Sequence, residues 1–205
     1  GDGDADHKHW VTASVMATLP VSEGGEADGS RKVSKATGNV TSMAALCGSA
    51  LAAMARLYAP FVGDYAKKCL EKALVAYEFV NGTPKGNSAA GGFYGSKPKY
   101  VADLVTFSVE LYRTTGDKKY LADAEANCSW MNAEADYNYN YTLCYNNTED
   151  LAAYLIASTK ESSYSEKALK VMDFYVNSMY KPASGYFLNK KVGGWGKLRF
   201  PANQA

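Results

Sequence analysis

Trp195 and Arg199 stand four residues apart in the closing stretch Trp195-Gly-Lys-Leu-Arg-Phe-Pro-Ala-Asn-Gln-Ala205. On a helix that spacing puts both side chains on one face. A flat indole beside a guanidinium fork suits a ligand with apolar faces and hydroxyl edges, which describes a sugar ring. Taken alone, Trp195 fits core packing equally well. Aromatic side chains recur in the other glycine- and asparagine-rich stretches: His7 to Trp10, Phe93-Tyr94, Tyr137 to Tyr145 and Tyr186 to Trp195. Binding groups collect on long loops held by a rigid scaffold, so this recurrence points to an aromatic cleft at one face.

Other chemistries find less support. His7 and His9 are the only histidines, and Cys47, Cys69, Cys128 and Cys144 lack C-x-x-C spacing, which argues against a zinc site. Asp2, Asp4 and Asp6 alternate like the start of an EF-hand loop, but the required Gly is His7 and the twelfth position is Ala13. Formal net charge is +1 with no long basic run, so neither a nucleic acid nor a membrane surface is expected as partner. No apolar stretch reaches the ~18 residues of a spanning helix. Hydrophobic residues make up 47 % of the 205, enough for a sizeable core.

The scaffold that must position these residues reads as helical. Residues 1 to about 37 show neither period, and Ser22 to Ser30 reads as an exposed loop. An alanine-dense helix is predicted over about 41–58, with Leu46, Leu51, Met54 and Leu57 on one side, and Pro60 beyond it. A second over about 63–81 aligns Cys69, Leu70, Ala73, Tyr77 and Val80, closed by Asn81-Gly82. Val101, Leu104, Val105, Ser108, Leu111 and Tyr112 repeat at helical spacing up to Thr115-Gly116-Asp117. A partner follows over about 118–131, and another pair over about 149–159 and 165–180. The last carries Leu169, Met172, Tyr175, Val176 and Met179 on one stripe. Strand signals are scarce. The expected fold is all-α, a ring of antiparallel helical hairpins.

Cys47 and Cys69 fall on apolar helix faces, and Cys128 and Cys144 could pair across a loop in an oxidising compartment. Asn-x-Ser/Thr sequons occur at Asn39, Asn81, Asn127, Asn140 and Asn146. They point to a secreted, extracellular glycoprotein.

Three ordered motifs resemble glycoside hydrolase family 9, the inverting cellulases (endoglucanases). Gly1-Asp-Gly-Asp-Ala-Asp-His-Lys-His-Trp10 is similar to the family's G-D-G-x-A-D-H-x-x-W segment. Leu111-Tyr-Arg-Thr-Thr-Gly-Asp-Lys-Lys-Tyr120 is similar to L-Y-x-x-T-G-D-x-x-Y, and Gly194-Trp-Gly-Lys-Leu-Arg-Phe200 to W-G-x-L-R-Y. The resemblance implies part of an (α/α)6 barrel, residues 1–205 being the central portion of a single catalytic domain. It implies β-glucan as the partner, hydrolysis of β-1,4-glucosidic bonds in cellulose-like polysaccharides by inverting single displacement, and no cofactor.

Catalytic residues implied by the family, an Asp upstream and a Glu downstream, have no counterpart here, so none is assigned in this chain. The implied substrate contacts are His7, Tyr94, Tyr141, Tyr145, Trp195 and Arg199. Tyr141 and Tyr145 stand where the family's W-T-x-x-W pattern has tryptophans, and a smaller ring covers less of a sugar face. The family's loop calcium falls on Pro98, Lys99, Ala102, Asp103 and Asn146, of which Asp103 alone is a carboxylate, so that ion is not expected. The alternative reading is a catalytically silent carbohydrate-binding or matrix glycoprotein on the same fold. Half of a helical ring would leave wide apolar faces uncovered, so these residues are expected to fold poorly by themselves. Oligomeric state has no sequence signature here.

Overall fold

Helix periodicity becomes seven α-helices in a computed structural model that describes residues 5, 7–30, 40–85, 100–131 and 148–180. They are α1 (Ala13–Met16), α2 (Thr41–Tyr58), α3 (Gly63–Gly82), α4 (Tyr100–Thr115), α5 (Lys118–Ala126), α6 (Glu149–Ala157) and α7 (Ser165–Tyr180), with one 3₁₀ turn at Val21–Glu23. Among the described residues there is no strand. Short connections at 59–62, 116–117 and 158–164 fold α2/α3, α4/α5 and α6/α7 into antiparallel hairpins. α2 packs on α4 and α4 on α6, so the first helices of the three hairpins stand side by side. The longer connections, 83–99 and 127–148, enter α4 and α6 at their N-terminal ends.

The turn between α4 and α5 shows how local chemistry closes a hairpin. Gly116 adopts φ 72°, which costs glycine nothing. Asp117 then caps α5, its Oδ1 accepting from the Lys119 amide at 3.0 Å.

α4 is the central element. Every residue from Ala102 to Leu111 is buried, the signature of a helix covered on all sides. One of its faces joins Ala45, Ala52, Ala73 and Val80 through Leu104, Phe107 and Leu111. The other meets Ala124, Met131, Ala152, Ile156, Ala168 and Val171 through Ala102, Val105 and Val109. Tyr77 sits between Phe107 and Tyr120 in edge-to-face contacts, with ring centroids 6.2 and 5.0 Å away.

Several expectations need correction. α2 buries its small residues, Ala45, Gly48, Ser49, Ala52 and Ala55, while Leu57 is 61 % exposed. The helices approach closely enough that alanine and glycine fill the seam and larger side chains are displaced to its flanks. Cys69 is buried as expected, but Cys47 is exposed. α5 ends at Ala126 rather than near 131, and α7 turns Ala168 and Val171 inward while Leu169 is half exposed. Cys128 is a free, fully buried thiol whose Sγ donates to the Ala124 carbonyl at 3.2 Å. Burial, with Glu125 nearby, pushes that thiol up to about 12. Cys144 lies outside the described residues.

Candidate functional site

Of the six expected substrate contacts, His7 lies within the described residues; Tyr94, Tyr141, Tyr145, Trp195 and Arg199 lie outside them. His7 is half-buried and sits in a segment that hydrogen-bonds closed on itself. Lys8 Nζ donates to the Ser22 carbonyl at 2.9 Å, and His9 Nε2 lies 2.8 Å from Glu23 Oε2. The Val21 amide donates to Asp28 Oδ1 at 2.6 Å, and the amides of Gly25 and Ala27 return to the carbonyls of Pro20 and Leu19. Gly25 is required by close approach. A Cβ there would lie 1.9 Å from the Leu19 carbonyl oxygen.

This frame presents a second aromatic, one that the sequence reading counts among the loop aromatics but not among the substrate contacts. Trp10 is 80 % exposed, and its ring meets His7 edge-to-face with centroids 5.6 Å apart. An indole held open beside an imidazole offers a sugar an apolar face and a hydrogen-bonding edge together. The signal available in sequence is its place at the end of the first motif, three residues after His7.

The N-terminal ends of α2, α4 and α6 meet at one buried carboxylate. Asp103, in the first turn of α4, is 3 % exposed. Its Oδ2 accepts from Ser42 Oγ on α2 at 2.5 Å, and its Oδ1 accepts from Thr148 Oγ1 at the start of α6, also at 2.5 Å. Burial raises the Asp103 carboxyl above the ordinary carboxylate value. The two hydroxyl donors pull it back, and Glu149, itself buried, pushes it up again.

Of the five positions where the family's calcium would fall, Pro98, Lys99 and Asn146 lie outside the described residues, and the two described, Ala102 and Asp103, do not fit it. Both carboxylate oxygens of Asp103 are engaged by hydroxyls, and the buried Ala102 carbonyl accepts from Thr106 Oγ1 at 2.9 Å. Calcium takes six to eight oxygen ligands. Among the described residues no three acidic, histidine or cysteine side chains converge.

Two glycosylation candidates are described, and they differ. Asn81 is exposed at the end of α3, with an amide contact to Tyr77. Asn127 is half-buried, and its Nδ2 donates to the Asp123 carbonyl at 2.8 Å. Both line a cleft of about 150 Å³ between α3 and α5, where Tyr77 donates to Asp123. Burial first, and that hydrogen bond second, push the Tyr77 phenol up to about 12. Asn39, Asn140 and Asn146 lie outside the described residues, and no described helix is long and apolar enough to cross a membrane.

Comparison with known proteins fits this arrangement. The sequence profile of glycosyl hydrolase family 9 matches residues 1–205. Endoglucanase B of Cellulomonas fimi is 31 % identical over 218 aligned residues, covering 99 % of this chain and 20 % of that protein. Endoglucanase A of Fibrobacter succinogenes is 30 % identical, over 98 % of this chain and 43 % of its own length. The chain thus spans less than half of each. Among solved structures, the cellulase Cel9M of C. cellulolyticum superposes with a TM-score of 0.68 at 24 % identity, covering 82 % of this chain and 38 % of that one. An endoglucanase from the termite Nasutitermes takasagoensis gives 0.65 at 23 % identity, over 80 % and 37 %. The hairpins are therefore an all-α arrangement of the (α/α)6 barrel type, and the chain belongs to glycosyl hydrolase family 9.

Proposed function

We propose that the protein containing this chain hydrolyses β-1,4-glucosidic bonds in cellulose-like polysaccharides, with inversion, and that residues 1–205 are the central portion of its catalytic domain. The observation that carries this reading is the match to the family from one end of the chain to the other. A structural relative, Cel9M, has been solved in complex with cellobiose, and a β-glucan is the corresponding partner here.

Inverting hydrolysis needs two carboxyl groups roughly 6.5–9.5 Å apart, one protonating the leaving oxygen and one activating water. We assign neither part to a carboxylate of this chain; among the described residues, Asp103 and Glu149 are buried inside the helical layer. The part of these residues is to hold sugar. His7 supplies a hydrogen-bonding edge and Trp10 a stacking face, with Tyr94, Tyr141, Tyr145, Trp195 and Arg199 as further contacts.

The test is the full-length protein on cello-oligosaccharides, with the anomer of the first product read by proton NMR. Release of the α-anomer first supports the proposal, and release of the β-anomer first overturns inversion. Binding without cleavage would favour the catalytically silent alternative. In the same assay His7→Ala is expected to lower kcat/KM roughly 10- to 100-fold, mainly through KM, because the hydrogen-bonding edge it removes holds the sugar in the ground state and the transition state alike. His7→Gln, which keeps a hydrogen-bonding edge, should recover part of that loss.

The protein is further proposed to be a secreted glycoprotein. Asn81 is its best-exposed described acceptor. Enzymatic N-glycan release from the secreted protein should shift its mass, and Asn81→Gln should diminish that shift. An unshifted mass would count against glycosylation.

A further inference from the structure

The buried Asp103 cluster has features that neither a helix cap nor the family's metal accounts for. Thr148 precedes the first turn of α6 but makes no side-chain bond to that helix; its hydroxyl goes to Asp103, 45 residues away. Ser42 likewise sends its hydroxyl to Asp103, across 61 residues. A short O–H···O⁻ bond to a carboxylate is among the stronger hydrogen bonds in proteins, and burial from water preserves it. Ser42, Asp103 and Thr148 each lie at the N-terminal end of a different helix. Those ends receive the segments that carry Tyr94 before α4, and Tyr141 and Tyr145 before α6.

We propose that Asp103 is a positioning residue. By accepting from Ser42 and Thr148 it fixes the N-terminal ends of α2, α4 and α6 relative to one another, without a metal ion. The sugar-binding segments leave the scaffold from these ends, so the clasp sets where their contacts fall. Glu149, the second buried carboxylate, pushes the Asp103 carboxyl up, and the hydroxyls of Ser42 and Thr148 act against that push. This inference rests on the sugar-binding reading above.

The test uses the full-length protein and has two arms. In the first, wild type is melted and assayed with EGTA and with added calcium. Unchanged Tm and unchanged activity are expected; a Tm lowered by EGTA and restored by calcium would overturn the metal-free clasp. In the second, Asp103→Ala and Thr148→Val are expected to raise KM for cello-oligosaccharides roughly tenfold, with a smaller fall in kcat. Thr148→Ser, which keeps the hydroxyl, should restore KM to within about twofold of wild type.

A lowered Tm with unchanged KM would reduce the cluster to a structural staple and overturn the positioning role. If wild type binds cello-oligosaccharides without cleaving them, the hydrolase reading fails alone, and Kd replaces KM under the same criteria. If it does not bind them either, the positioning role fails with that reading, while the EGTA arm still decides whether the clasp holds a metal.

Discussion

Replacing Phe107 by alanine is expected to cost the full-length protein about 3–5 kcal/mol of stability, the range for deleting a buried aromatic ring. Phe107 is 1 % exposed and is among the largest fully buried side chains described. It projects from α4 into the seam with α2, where Gly48 leaves room for it. A Cβ built at Gly48 would fall 2.2 Å from the ring's Cζ. Alanine at 107 would leave a cavity between three helices, since Tyr77 of α3 also packs against the ring. The complementary change, Gly48→Ala, is expected to cost about 1–3 kcal/mol by overpacking the same space. Because both changes act on one volume, they should not add. Denaturant unfolding of the two single variants and the double variant checks this, and strictly additive costs would contradict the packing described.

Arg56→Ala is expected to destabilise by about 2–3 kcal/mol, less than the ~3–5 kcal/mol of a fully broken buried pair because a second arginine remains. Glu110 on α4 has a side chain only 10 % exposed. It lies 2.7 Å from Arg56 Nη1 on α2 through Oε2, and 3.3 Å from Arg113 Nη1 through Oε1. The Oε2 contact is one of charge rather than an aligned hydrogen bond. Arg56 Nη1 also donates to Thr114 Oγ1 at 3.1 Å, and that hydroxyl donates to the Ala52 carbonyl at 2.8 Å. Removing Arg56 therefore leaves a nearly buried carboxylate with the longer Arg113 contact and loosens a polar bridge between the two helices. Joint replacement, Arg56→Met with Glu110→Leu, should recover most of the loss, since no charge is then left buried. Thermal unfolding of both variants decides the matter; an Arg56→Ala melt equal to wild type would show the pair to be inert.

The helices were largely legible because their periods are local. The spacing predicts helices over 41–58 and 165–180, and the structure places them at Thr41–Tyr58 and Ser165–Tyr180. The helix predicted to run to 131 stops at Ala126 because Asn127 competes for the backbone. Its side chain takes the Asp123 carbonyl, while the amides of Asn127 and Cys128 turn back to Ala124 and Glu125. The buried face of α2 was less legible. Periodicity favours Leu46, Leu51, Met54 and Leu57, but α2 carries apolar residues around much of its circumference. Which side is buried then depends on how closely α4 approaches, and that is not written in α2 itself.

The candidate site divides in the same way. His7 is carried by a motif of adjacent residues, so the sequence alone singles it out. The open presentation of Trp10 depends on the loop closed by His9–Glu23 and Lys8–Ser22, contacts that each span 14 residues. The family, the helical class and the order of the hairpins can be read from the residues in order, because motifs and periods are properties of neighbours along the chain. That Cys47 faces outward, that small residues form the seam of α2, and that Ser42, Asp103 and Thr148 meet emerges only in the packed molecule. Each of these depends on distances between residues far apart in the chain, set only when the helices pack.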